Sequence, residues 1–372
     1  MDTHPSENTT VAAISTPPGS GGIGIIRISG PGALAALKTL FSPHKPNCDF
    51  RSHHFFYGTI VDPLSRRVVD EVLVVYMASP RTYTREDVVE IHCHSSFLVL
   101  QNILELLFQQ GVEPAQPGEF TKRAFLNGRI DLTRAEAVID ILAAKTRKGI
   151  DIAQEQLAGA LYGRVDIIRK VLRELRALVE VSIDFPDEDV EILHRDHMLE
   201  RVKDEVAAPI DYLLRCSDRG RIYREGVSAV IVGRPNVGKS SLLNSLLQED
   251  RALVTAVPGT TRDSIEEHID VMGMPVRIID TAGIRDHADE VEELGIRRAK
   301  RLVNQADVVL FMVDGAAAVT DEDHRLFSSI AHKTVMVVIN KVDLLAGEPF
   351  PGSTGFADTL PQVRISAKLN SG

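Results

Sequence analysis

"VSAVIVGRPNVGKSSLLNSLL", residues 227 to 247, decides how the second half of this chain folds. An apolar, strand-like run leads into GRPNVGKS, Gly233 to Ser240, and a helix pattern opens directly after it. That is the strand, loop and helix order a phosphate loop requires. Glycine-rich backbone can bring its amides onto phosphate oxygens, and the positive end of the following helix favours the anion. Asn236, Val237, Gly238, Lys239, Ser240 and Ser241 are the expected cradle. Lys239 would reach the β- and γ-phosphates, and the Ser240 hydroxyl would bind Mg²⁺, which takes hard oxygen ligands.

Outward from this loop, three further elements follow in the order of a GTPase: "GTTRD" at 259 to 263, "DTAG" at 280 to 283 and "NKVD" at 340 to 343. Thr261 is expected to complete the Mg²⁺ shell and Asp280 to hold a metal-bound water, with Thr255, Thr260, Thr281, Ala282 and Gly283 lining the nucleotide. Asp343 suits guanine, because a carboxylate only accepts hydrogen bonds and guanine offers two donors on its N1 and N2 edge. Adenine presents an acceptor there and would leave a polar group unpaired. Asn340 and Lys341 would frame the base, and Ser366, Ala367 and Lys368 would close over it. One group is missing: Ile284 follows Gly283, where many GTPases carry a glutamine that orients the attacking water. Between these motifs, strand and helix patterns alternate from residue 223 to 372, which predicts a mostly parallel sheet covered by helices.

The chain is longer than one such domain. Its 372 residues, 44% apolar and 25% charged, allow two or three domains with ample cores. The net charge of -10 argues against a single large basic surface for nucleic acid. Cys48, Cys93 and Cys216 are scattered without metal-ligand spacing and read as free thiols of a reducing compartment. No apolar run approaches the roughly 18 residues of a membrane span and no leader pattern opens the chain, so a soluble, cytoplasmic protein is expected. Residues 1 to 119 mix strand-like runs, "VAAIST", "GIGIIRIS", "HHFFYGTIV", "DEVLVVYMA" and "DVVEIHCH", with a helix-like "FLVLQNILELLFQQG", and predict an α+β domain. Residues 120 to 222 lose strand signals. There Leu157, Leu161, Val165, Ile168, Leu172, Leu175 and Val179 recur at spacings of three and four, one face of a long helix in an all-α domain. The charges beside that stripe read as a solvated face, and "SDRGRIYREG" reads as the linker into the α/β domain.

"STPPGSGGIGIIRISG" near the start, "TYTREDVVEIHCH" at 82 to 94, "PGEFTKRAFLNGRIDLTRAEAVIDIL" at 117 to 142 and "IDFPDEDV" at 183 to 190 together resemble the MnmE (TrmE) family of tRNA modification GTPases over essentially the whole chain. The resemblance implies a folate-binding, dimerising N-terminal domain, a helical domain into which the G domain is inserted, and a homodimer. It also implies an FAD-dependent partner of the MnmG type, joined in a heterotetramer. With that partner the family adds aminomethyl or carboxymethylaminomethyl groups to C5 of the wobble uridine, U34, of certain tRNAs. The family's 5-formyltetrahydrofolate residues fall on Arg27, Glu90 and Arg129; one acid and two bases suit a donor-rich pterin edge and a carboxylate tail. Where Ser95 and Ser96 stand the family usually has two glycines. His92 and His94 share a strand face but lack a third metal ligand, and read as structural.

The same resemblance assigns the attacking water to Glu292, through a bridging water. On sequence alone Glu292 is a helix-start acid favoured by the macrodipole, and Glu290 and Glu293 compete with it. It also implies K⁺ in place of an arginine finger, held by Asn236 and by the loop carrying Thr255, Val257 and Thr260; Arg262 reads as structural. The family continues beyond "SAKLNSG" into a last G-domain helix and a return to the helical domain, so a fragment or an abbreviated homologue is expected. Two other readings stay open: a ribosome-assembly or translation-associated GTPase switch, and a folate-dependent carrier enzyme with a regulatory G domain.

Overall fold

The computed structural model describes residues 9–19, 21–45, 49–184, 195–249, 266–280, 301–345 and 360–372, which form two compact units, Met1–Glu136 and Ala137–Gly372. Among the described residues no helix is long and apolar enough to cross a membrane.

The first unit is built on a seven-stranded sheet. Strands β1 (Val11–Ile14), β2 (Gly21–Ser29), β3 (Phe41–Pro43), β4 (His54–Val61), β5 (Val68–Met77), β6 (Val88–Ser95) and β7 (Glu113–Pro114) lie in the order β3-β4-β5-β6-β2-β1-β7. Neighbours are antiparallel except β1 and β7. Alternation assigns the faces, since successive side chains of a strand point to opposite sides. Ile26 and Ile28 of β2 and Val89, Ile91 and Cys93 of β6 are buried. They pack with Leu37 and Leu40 of helix α1 (Ala33–Leu40) and Ile103 and Leu107 of α2 (Phe97–Gln109). Each such aliphatic side chain contributes about 1.5–3 kcal/mol on burial. Arg27, Glu90 and His92 occupy the intervening positions, and the register sets Arg27 opposite Glu90. A third helix, α3 (Glu119–Leu126), follows the sheet.

The second unit begins with helices. These are α4 (Leu132–Ala143), which starts just before the division, α5 (Arg147–Ala158), α6 (Ala160–Asp184), α7 (Arg195–Arg201) and α8 (Ala208–Glu225), with a wider turn at Val202–Ala207. The single long stripe expected from Leu157 to Val179 is interrupted. Gly159 adopts φ +99 and ends α5 in a left-handed cap, a conformation that glycine reaches without strain. Within α6 the small core takes Ile168, Val171 and Leu175, with Val206, whereas Val165, Leu172 and Val179 of the expected stripe remain exposed. The expected linker "SDRGRIYREG" is helical instead, the last turns of α8. An Arg221–Glu225 pair at i,i+4 supports those turns, and Gly226, φ +80, stops them. A Cβ at Gly226 would stand 2.4 Å from the Pro275 carbonyl oxygen, so the exit from α8 also depends on glycine's size.

Beyond it, strands β8 (Val227–Val232), β9 (Glu266–Val271), β10 (Met274–Asp280), β11 (Val308–Asp314), β12 (Thr334–Asn340) and β13 (Gln362–Arg364) form a sheet in the order β13-β12-β11-β8-β10-β9. All neighbours are parallel except β9 with β10. Helices α9 (Lys239–Glu249) and α10 (Asp321–Ile330) belong to the same unit. Val230, Phe311, Val337 and Ile339 are buried in one cluster and Ile231, Ile278 and Met312 in another, the near-continuous apolar strands of a sheet covered on both faces. β8 lies between β10 and β11, with the next strands in sequence, β9 and β10, on one side of it and β11, β12 and β13 on the other. In open α/β sheets the ligand crevice opens at the carboxyl ends of the strands at such a point.

Candidate functional site

The phosphate loop lies at the carboxyl end of β8. Asn236 takes φ +63 and Gly238 φ +101, and a Cβ at Gly238 would stand 2.2 Å from Asn340 Nδ2, so only glycine fits there. Gly233 is equally confined, with a Cβ position 2.4 Å from the Met312 carbonyl oxygen. Lys239 donates its Nζ to the carbonyls of Gly233 at 3.0 Å and Arg234 at 2.8 Å, which folds the ammonium over its own loop. Ser240 and Ser241 are exposed in the first turn of α9, and Val237 is buried beneath the loop. A tight loop closed by two glycines, a helix amino end, an ammonium and an exposed hydroxyl fit a phosphate chain and a hard divalent cation.

The residues expected to face the guanine are tied to that loop. Asn340, buried at the end of β12, donates Nδ2 to the Val237 carbonyl at 2.8 Å and accepts at Oδ1 from the Ala367 amide at 3.0 Å. It therefore braces the phosphate loop against the 366–368 loop, a role beyond framing a base. Asp343 is exposed, and its Oδ1 accepts from the buried Ser366 hydroxyl at 2.6 Å. Lys341, φ +65, donates to Asp314 Oδ2 at 2.6 Å, while Lys368 is exposed. Sequence reasoning missed the anchor of Arg234, whose Nε donates to Asp323 Oδ1 at 2.7 Å. Asp323 is fully buried and forms the capping box of α10 with Thr320. The signal was present: a threonine followed three positions on by an acid before a helix pattern.

The remaining nucleotide-site expectations, Thr255, Val257, Thr260, Thr261, Arg262, Thr281, Ala282, Gly283, Ile284, Glu290, Glu292 and Glu293, lie outside the described residues. Of Asp280 the backbone is described, paired with Ile231 at the end of β10.

In the first unit, Arg27 and Arg129 both approach the Tyr83 ring, and Glu90 joins them through Arg27. Arg27 donates Nε and Nη2 to Glu90 Oε1 at 2.8 and 2.6 Å. Arg129 lies over the Tyr83 ring, 5.1 Å from its centroid, and donates Nη1 to the Thr82 carbonyl at 2.8 Å. An acid, two guanidiniums and an aromatic ring form a polar patch on the sheet face away from α1 and α2. His92 Nε2 stands 3.5 Å from Glu90 Oε2, and its ring meets Phe55 edge-on at 5.3 Å. His94 is bound to Asp70 at 2.8 Å; that hydrogen bond, then the charge of Asp70, raises its pKa above the ordinary histidine value. Among the described residues no group of three or more His, Cys, Asp or Glu side chains could hold a metal ion. Burial pushes the Cys93 thiol up to about 11. Close approach near Ser95 falls to the opposite strand, where a Cβ at Gly24 would stand 3.2 Å from Ser95 Cα and 3.0 Å from Leu100.

A buried network beside this patch was also missed. Arg123 donates to Glu86, Glu119 and the Thr9 carbonyl, and Glu86 accepts from Ser29 Oγ at 2.7 Å. These bonds secure α3, and with it the approach of the chain to Arg129. The sequence held no periodic signal for it, because Arg123 reads as one more charge on a short helix.

Two family models match the chain, GTP-binding protein TrmE N-terminus over residues 10–129 and 50S ribosome-binding GTPase over residues 228–341. Among curated relatives, the tRNA modification GTPase MnmE of Desulfotalea psychrophila is 59% identical over 371 residues, 99% of this chain and 79% of that protein. Its namesake from Alkaliphilus oremlandii is 52% identical over 90% of this chain and 73% of its own length. The one from Geobacter metallireducens is 50% identical over 98% of this chain and 79% of its own length.

Proposed function

From the premise that the chain belongs to the MnmE family of tRNA modification GTPases, we propose that it couples GTP hydrolysis to a folate-dependent change at the wobble uridine of tRNA. It is a GTPase of tRNA modification, with GTP as substrate and Mg²⁺ as its metal. The finer reading is that it acts, as a homodimer joined to an FAD-dependent MnmG-type partner in a heterotetramer, to add an aminomethyl or carboxymethylaminomethyl group at C5 of U34. A cytoplasmic site of action belongs to the same reading, as does the division into a folate-binding domain to residue 119, an all-α domain to 222 and a G domain beyond.

The observation that carries it is the meeting of Arg27, Glu90 and Arg129 on one patch of the first unit. A ribosome-assembly switch needs no such patch. A reduced folate offers a donor-rich pterin edge, complementary to a carboxylate acceptor, and a carboxylate tail, complementary to a guanidinium. When bound, the folate supplies the one-carbon unit, and the protein's share is to orient it.

At the nucleotide site Lys239 would hold the β- and γ-phosphates, Ser240 and Thr261 the Mg²⁺, and Asp343 the guanine edge. Asn236, with the loop of Thr255, Val257 and Thr260, would hold K⁺, which supplies positive charge where an arginine finger is otherwise used. Glu292 would position the attacking water in place of the glutamine that Ile284 displaces. Deleting the gene and measuring wobble nucleosides by mass spectrometry tests the proposal. Loss of the C5 substituent is expected, and an unchanged nucleoside profile overturns it.

A further inference from the structure

Tyr83 stands between the two arginines of the N-terminal patch. The Arg27 guanidinium carbon is 6.0 Å from the Tyr83 ring centroid and 5.6 Å from that of Phe120. The Arg129 guanidinium carbon is 5.1 Å from the same Tyr83 ring. What else holds the two cations differs. Arg27 spends two donors on Glu90 Oε1, so its charge is compensated. Arg129 donates to a neutral carbonyl, that of Thr82, and has no ion pair among the described residues. The electron-rich face of the Tyr83 ring is thus its other fixed contact. The ring is itself anchored, since the Tyr83 hydroxyl is hydrogen-bonded to Thr121 Oγ1 on α3 at 2.9 Å.

We propose that Tyr83 is the positioning residue of this site: its ring orients the uncompensated Arg129 guanidinium toward the anionic group of a bound folate. Glu90 Oε2, which no arginine occupies and which His92 Nε2 faces at 3.5 Å, is the acceptor left for the ligand's donor edge. The inference rests on the folate reading above and adds to it a residue that touches the cations that would meet the ligand. A guanidinium left on one hydrogen bond samples many rotamers, and ordering it on binding costs affinity. The ring removes that cost in advance without neutralising the charge, as a carboxylate partner would.

The test titrates the full chain with 5-formyltetrahydrofolate by calorimetry, for the wild type, Tyr83→Phe and Tyr83→Leu, with circular dichroism to confirm folding. Phenylalanine keeps the ring and is expected to bind within about threefold of the wild type, whereas leucine is expected to weaken binding about tenfold, the range of a partly desolvated cation–π contact. Leucine binding as tightly as the wild type, or phenylalanine as weak as leucine, overturns the role of the ring. A second reading needs no ligand: the Arg129 Nε–H proton resonance of the wild type, assigned against an Arg129→Lys variant that circular dichroism shows to be folded, is expected upfield of free arginine because it lies over the ring. A resonance at the free-arginine position overturns the proposal. If the wild type shows that upfield shift yet binds no folate, Tyr83 keeps its role toward Arg129 and the folate reading is what fails.

Discussion

At Asp343 the Ser366 hydroxyl engages one carboxylate oxygen at 2.6 Å, so the acceptor that would read the base is already oriented by a buried partner. Asp343→Asn exchanges that acceptor for a group that can also donate. Guanine's two donors then meet a mismatched amide, whereas xanthine, with an oxygen at its second carbon, can accept from it. GTP affinity is expected to fall about 10- to 100-fold, the cost of an unpaired polar contact, while xanthosine triphosphate gains. Competition binding with the two nucleotides checks it, and an unchanged preference removes Asp343 as the base reader. Asn236 supports a second prediction. Its φ of +63 is one that asparagine tolerates, and its side chain is exposed at the rim of the phosphate loop. K⁺ should accelerate hydrolysis about tenfold or more over Na⁺ through added positive charge at the phosphates. Asn236→Gly, which keeps the backbone free, should abolish the difference. Equal wild-type rates in the two salts would sink the assignment.

Thr146 joins two elements that the sequence presents as unrelated. Its hydroxyl oxygen accepts from the Gly149 amide at 3.1 Å, capping α5, and its proton goes to the Gly273 carbonyl at 2.8 Å in the turn between β9 and β10. That hairpin lies between the "GTTRD" and "DTAG" motifs, so the helical segment holds the strand pair that separates them. Thr146→Val keeps the shape and removes both bonds, and is expected to cost about 1–2 kcal/mol in denaturant unfolding. Loss of less than a few tenths would show the cap to be idle. Gly273, φ +88, has a Cβ position 2.8 Å from Lys148 Cβ, which explains why the turn closes on a glycine. None of this pairing was legible, because a cap signal announces a helix start and not the strand turn it touches. Legibility followed periodicity. The runs that became β1, β2, β4, β5 and β6 alternate and were readable. The three-residue β3 and two-residue β7 are too short to show a period, and the eight residues of α1 expose only Ala35, Lys38 and Thr39, too few to mark a helix face in sequence. At the nucleotide site the GRPNVGKS and NKVD runs are legible as motifs, whereas the Arg234–Asp323 anchor joins positions 89 apart and left only the capping box as a trace.

Among the described residues the cluster around Ile26, Ile91 and Leu107 lies in one unit, and those around Val230, Phe311 and Ile339 and around Ile231, Ile278 and Met312 lie in the other. The proposed reading gives each unit one ligand. Arg27, Glu90 and Arg129 belong to Met1–Glu136, and Lys239, Asn340, Asp343 and Ser366 to Ala137–Gly372. A ligand that binds only the native form stabilises it by about 2.7 kcal/mol at a hundredfold excess over Kd. Amide exchange of core strands reports the free energy of opening the unit to which they belong. A non-hydrolysed Mg-GTP analogue is therefore expected to slow exchange in β8 and β12 about a hundredfold, leaving β2 and β6 nearly unchanged. 5-Formyltetrahydrofolate is expected to do the reverse. Hydrogen exchange read by mass spectrometry distinguishes the strands directly, since their peptides are well separated in sequence. Protection of both units by either ligand alone would mean that the two cores open together, and the assignment of one ligand to each unit's own stability would fall.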